Sequence, residues 1–139
     1  MDPVDYTDTF IALAPGSEGP ARVPAERGGK PTIASATWAM IHEAPYRHTS
    51  GDVIFTVWAD RRGVPDRERA AARAEFYSVG RPCLRASDLG KAYGWGVHAD
   101  AAGRLALYPY GSTEYDALAS GVAPDGTAVT VVRAMRAKR

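Results

Sequence analysis

GVHADAAGRLALY, residues 96–108, is the stretch whose reading decides the fold. Asp100-Ala101-Ala102-Gly103 has the composition of a type I turn, with glycine where a left-handed residue completes a G1 bulge. Such a turn sets a register in which residue 100 pairs with 104, 99 with 105, 98 with 106 and 97 with 107. Val97, Ala99, Leu105 and Leu107 then share the core face, while His98, Asp100, Arg104, Ala106 and Tyr108 share the other. On that second face Asp100 and Arg104 are placed to form an ion pair across the hairpin.

Outward from the hairpin, Ser112 caps a helix carrying Tyr115, Leu118, Ala119 and Val122 at i, i+3, i+4 and i+7, and TAVTVVRAM forms a last strand. On the other side, Ser87 or Asp88 starts a short helical turn that Gly94 ends. Further back, Asp66 caps an Ala-rich helix through Ser78, and Thr32 caps a helix through Glu43 with Ile33, Thr37, Trp38 and Ile41 on one side. HTSGDVIFTVWADRRG is ambiguous. Val53, Phe55 and Val57 alternate like a strand, but Val53/Val57 and Ile54/Trp58 also pair at i, i+4. Its ends favour helix: Thr49 with Asp52 resembles a capping box, and Gly63 followed by Pro65 is a helix stop. TDTFIALA, residues 7–14, is a strand, and residues 17–30 form a long, mobile loop rich in Pro and Gly. The expectation is one α+β domain over residues 1–139: about four mostly antiparallel strands with helices packed mainly on one face, and a basic tail at 136–139.

Composition removes several functions. No apolar run approaches the roughly 20 residues a bilayer crossing needs, so no membrane partner is expected. An acidic start, MDPVDYTD, with no apolar segment after it, and a single cysteine point to the cytoplasm. A formal charge of +1 gives no global attraction to nucleic acid, although the end is locally basic through Arg133, Arg136, Lys138 and Arg139. The absence of Asn and Gln removes the Cys/His/Asn protease triad and the amide that reads adenine. Gly94-Trp95-Gly96-Val97-His98-Ala99 spells G-x-G-x-x-A, but a helical turn precedes it and a strand follows, the reverse of a dinucleotide site. No organic cofactor is expected. Nor is a metal, because His42, His48, His98 and Cys83 stand at none of the spacings that gather ligands on one element.

Chemistry concentrates in RPCLRASDLGKAYGWGVHAD, residues 81–100. Cys83 lies between Arg81 and Arg85, cations that favour a reactive thiolate; the other reading is a small buried hydrophobe. Arg85, Ser87 and Lys91 surround the start of a short helix where an anion can be held, or else Arg85 spans a corner and binds carbonyls. Trp95 either stacks a planar ligand or belongs to the core on Val97's face. His98 titrates near neutrality and is the acid/base candidate, with Tyr108 on its face. The segments DTFIALA, APYRHTS, RPCLRAS, AYGWGVH and AMRAKR, in that order, resemble an uncharacterised family of small bacterial proteins, a domain of unknown function. That resemblance implies no catalytic residues.

These readings combine into one expectation: a pocket near Arg85, Trp95 and His98 that binds, and in an enzyme transforms, a small anionic molecule. His98 and Cys83 are its catalytic candidates, and Arg85, Ser87, Lys91, Trp95 and Tyr108 its ligand-binding ones. The alternative is a non-catalytic interaction module whose basic C-terminal end contacts an acidic protein or nucleic acid. A homodimer through the His98 face of the hairpin is compatible with both.

Overall fold

In the computed structural model, which describes residues 1–136, the hairpin has the register its turn dictates. Strand β2, Trp95–Ala99, pairs antiparallel with β3, Leu105–Pro109, through Val97↔Leu107, His98↔Ala106 and Ala99↔Leu105. Gly103 supplies the left-handed residue, at φ 80°, and its N–H donates to the Asp100 carbonyl at 3.0 Å. The Asp100 carboxylate accepts from the backbone N–H groups of Ala102 and Arg104, at 2.9 and 2.8 Å. Satisfying the turn's own donors replaces the expected ion pair with Arg104.

Strand β1, Thr9–Ala12, lies antiparallel to β2, and β4, Thr130–Arg133, lies parallel to β1, giving the order β3-β2-β1-β4. The sheet is therefore mixed. Its one parallel pair follows from connectivity: the helix after β3 carries the chain back to the end where β3 began, so β4 runs the same way as β3 and hence as β1. The edge of β3 is already taken by the segment before α2, where the Leu105 N–H donates to the His48 carbonyl at 2.9 Å and the Tyr46 N–H to the Leu105 carbonyl at 2.7 Å.

Among the described residues five α-helices complete the α+β fold: α1 Ile33–His42, α2 Ser50–Arg62, α3 Arg69–Phe76, α4 Asp88–Lys91 and α5 Thr113–Ala119. Thr32 and Ser35 form a reciprocal capping box on α1, Thr49 and Asp52 one on α2, and left-handed Gly63 stops α2. The segment at 50–62 is thus a helix, and packing explains its strand-like alternation. Val53 and Val57 join the sheet-side core with Ile11, Val97, Leu105, Ile41 and Leu89, whereas Phe55 and Ala59 pack on Phe76 of α3. A helix buried on two sides presents apolar residues at i, i+2 as well as i, i+4.

On the opposite face of the sheet, Phe10 and Ala12 pack with Tyr115 and Leu118 of α5. The 17–30 segment is pinned at Arg22, whose N–H donates to the Tyr93 carbonyl and whose carbonyl accepts from the Trp95 indole, both at 2.9 Å. Ile33, read as part of the apolar side of α1, is instead 62% exposed, because it stands at the first turn, outside the reach of the sheet. Among the described residues no helix is long and apolar enough to cross a membrane.

Candidate functional site

The residues expected to meet in one pocket are divided by the sheet. Trp95 belongs to the core cluster with Val97, is 9% exposed, spends its indole N–H on Arg22 and meets Trp38 and His42 edge-on. His98 is one residue beyond Val97 and three beyond Trp95, an odd offset from both, and therefore points to the other side of β2, where it is 4% exposed. Arg85 stands elsewhere again: its Nε donates to the Arg133 carbonyl at 2.7 Å, the corner-spanning role. The structure does not bring Arg85, Trp95 and His98 to a single cavity. Lys91 ends the four-residue α4, and the Arg136 that starts the basic tail is exposed, with Lys138 and Arg139 outside the described residues.

Around His98 the site is a hydrogen-bonded trio. The Tyr46 hydroxyl lies 2.9 Å from His98 Nδ1 and 2.6 Å from the Tyr108 hydroxyl. Burial holds the imidazole below its ordinary 6.5, a shift that the charges of Asp100, Asp125 and Asp8 only partly offset. Burial and the Tyr108 contact push the Tyr46 phenol well above its ordinary range. Tyr46 was not legible as a partner of His98, since 52 residues separate the two and no local pattern links them. Its backbone is left-handed, at φ 58°, which turns the ring over the edge of β3.

Cys83 and Ser87 line a different place, a cleft of about 700 Å³ between α1, α2 and the Arg81–Asp88 segment. One helix face builds its main wall: Ile54, Val57, Trp58 and Arg61 of α2 recur at i, i+3, i+4 and i+7. Ile33 and Thr37 of α1 face them, and Phe76 and Leu84 close the end. Cations surround this apolar lining. The Arg62 guanidinium lies over the Trp58 ring at 4.8 Å and that of Arg81 over Phe76 at 3.9 Å, the latter fixed by an Nε–H bond to the Phe76 carbonyl. Arg61 donates to the Pro31 carbonyl through one terminal nitrogen, which leaves the rest of its fork free. Among the described residues, Asp88 is the one carboxylate in the lining.

Cys83 is half-buried in this wall, its sulfur 3.1 Å from the Tyr6 hydroxyl. Burial first and Cys83 second push the Tyr6 phenol up to about 12, against the lowering effect of Arg85. Ser87 caps α4, accepting from the Leu89 N–H at 3.2 Å, so its own hydroxyl proton remains to be given away. Sequence reasoning placed Arg81 beside Cys83 and paired Ile54 with Trp58, but a cleft assembled from three distant segments has no local signature. Among the described residues no three His, Cys, Asp or Glu side chains are grouped to hold a metal ion.

A family model described as Family of unknown function (DUF6157) matches residues 1–139, and the chain belongs to that family, as its motifs suggested. No curated protein and no solved structure matches the chain.

Proposed function

We propose that this member of a family without an assigned activity binds a small molecule with an apolar body and an anionic group, in the cleft beside Cys83 and Ser87. The ligand class is that expected from the sequence; its place moves from the surroundings of Trp95 and His98, which packing occupies, to the far side of α2. One observation carries the reading. A cavity of about 700 Å³ is walled by Ile54, Val57, Trp58 and Phe76 and bordered by Arg61, Arg62 and Arg81 against, among the described residues, the single carboxylate of Asp88. That size falls within the roughly 300–1,000 Å³ of small-molecule sites.

The physical logic is that of an amphiphile. Apolar surface left facing water is stabilised by about 25 cal/mol for each Å² a ligand covers, which supplies affinity without direction. Guanidinium groups at the border supply direction, because their parallel N–H donors match a carboxylate or phosphate. Arg62 and Arg81 are held on aromatic faces, so little side-chain freedom is lost when they meet an anion.

The experiment is a fluorescence titration that follows Trp58, with decanoate and naphthoate as probes and decanol and naphthalene methanol as neutral counterparts. The carboxylates should bind, roughly tenfold more tightly than the alcohols, and Arg61→Ala should remove that margin. Ile54→Arg, which places a charge in the apolar wall, should abolish binding of all four. Failure of both carboxylates to bind, or binding indifferent to Ile54→Arg, would overturn the assignment.

A further inference from the structure

A second cavity, of about 890 Å³, adjoins the first, and the two share Ile33, Ala34, Val57, Arg61 and Asp88. Its character is different. Arg27 and Lys30 line it, on either side of a turn through Gly28 and Gly29, both left-handed. The carboxylates there are Glu26, Asp60 and Asp88, and Asp60 is already engaged by the Arg69 guanidinium at 2.8 Å. This chamber sets Arg27, Lys30 and Arg61 against Glu26 and Asp88 once Asp60 is paired with Arg69, a small local excess of positive charge to which Arg62 and Arg81 add from the first cavity. At their common border stands Ile33, 62% exposed, an apolar side chain between an apolar chamber and a charged one.

We infer that the ligand of the cleft spans both chambers and is a phosphate monoester of an apolar alcohol: its body lies against Trp58 and Phe76, it crosses Ile33, and its phosphate meets Arg61, Arg27 and Lys30. This rests on the reading of the first cleft and goes further by naming the head group. A carboxylate carries one charge and is satisfied by one guanidinium fork. A phosphate monoester carries nearly two charges and three terminal oxygens, and a shared Arg61 flanked by two further cations suits that geometry better. An apolar body that covers Ile33 also accounts for an isoleucine otherwise left to water at a chamber entrance.

The test compares monomeric decyl phosphate with decanoate in the wild-type protein and in Arg27→Ala/Lys30→Ala, a pair of changes beside an exposed turn. Decyl phosphate should bind roughly tenfold more tightly than decanoate, and the double variant should erase the difference while leaving decanoate affinity unchanged. Equal affinities in the wild type, or a preference that survives the double variant, overturns the phosphate assignment while the cleft itself stands. If neither probe binds, it is the cleft reading that fails, and this inference with it. Phosphatidylcholine vesicles carrying phosphatidic acid form the last arm: no binding is expected, and binding to vesicles without binding to monomeric decyl phosphate overturns a soluble ligand.

Discussion

The Tyr46 hydroxyl is hydrogen-bonded to His98 Nδ1 at 2.9 Å, joining a loop residue with left-handed backbone to a buried histidine of β2. Because Tyr46 also reaches the Tyr108 hydroxyl, it occupies the bridging position between His98 and Tyr108 that a ligand would otherwise take. The trio ties the α1–α2 connection to the sheet. The left-handed backbone of Tyr46 costs about 1–3 kcal/mol, which its contacts must offset.

Removing the hydroxyl tests this. Tyr46→Phe leaves the His98 imidazole buried without its Nδ1 partner, a loss of about 1–3 kcal/mol. Denaturant unfolding should show that drop in the midpoint with an unaltered slope. A variant as stable as the wild type would mean that the bond contributes nothing to the fold.

A pH dependence follows from His98. Its folded value lies below the ordinary 6.5, mainly through burial, so the unfolded chain binds the proton more readily. Stability from this group is complete above about pH 6.5, declines as pH falls toward the folded value, and changes no further below it. His98→Gln should flatten unfolding free energy over that window, and the wild-type His98 imidazole resonances should titrate below 6.5. An ordinary midpoint would remove the prediction's basis.

What the sequence disclosed was local. The Asp100–Gly103 turn fixes its register within thirteen residues, and the caps at Thr32, Thr49, Ser87 and Ser112 each act within three, so all are readable from neighbouring letters. Glycines flank Trp95 on both sides. A Cβ on Gly94 would lie 2.7 Å from the Pro20 carbonyl oxygen, and one on Gly96 2.3 Å from the Phe10 ring. Both are close approaches of distant segments, which no pattern around residue 95 reveals. The same holds for the cleft, since Ile33, Trp58, Arg81 and Ser87 come together only once α1 and α2 have packed. Parity did place Trp95 and His98 on opposite faces. Gathering them around one pocket ran against that alternation.

The N-terminal segment is fastened by charge. Arg73 of α3 pairs with Asp52 at 2.9 Å and also with Asp2, while the Asp5 carboxylate accepts the Gly51 N–H at 2.7 Å. Burial alone would raise the Asp52 carboxyl, but the Thr49 N–H and Arg73 outweigh it and hold the group below 3.8. Its contribution is present above about pH 4 and is lost as pH falls through the depressed folded value, a window separate from that of His98. Asp52→Ala removes the capping box as well as the ion pair and should cost about 0.5–2 kcal/mol at neutral pH. It should also weaken the loss of stability on acidification below pH 4. An acid limb identical to the wild type's would assign that limb to other carboxylates.

Cys83 is where the proposed function can be checked without knowing the ligand. Its sulfur is half-buried on the cleft wall and lies 3.1 Å from the Tyr6 hydroxyl, while the Arg85 guanidinium is held by the Arg133 carbonyl at 2.7 Å. Iodoacetamide should therefore alkylate the native protein without denaturant, because the thiol opens onto the cleft and is not sealed in the core. The attacking species is the thiolate, an acceptor only, and the Tyr6 hydroxyl is placed to donate to it until the carbon–sulfur bond forms and iodide leaves. Tyr6→Phe should slow the reaction roughly tenfold, the kinetic equivalent of losing a hydrogen bond to a charged group. Arg85→Ala should slow it less, since that side chain is engaged elsewhere. Saturating decanoate should protect the thiol in the wild type and fail to protect it in Ile54→Arg. If alkylation instead awaits unfolding, Cys83 is a packing residue. Should the thiol react freely with decanoate bound, the ligand lies outside the Cys83 end of the cleft.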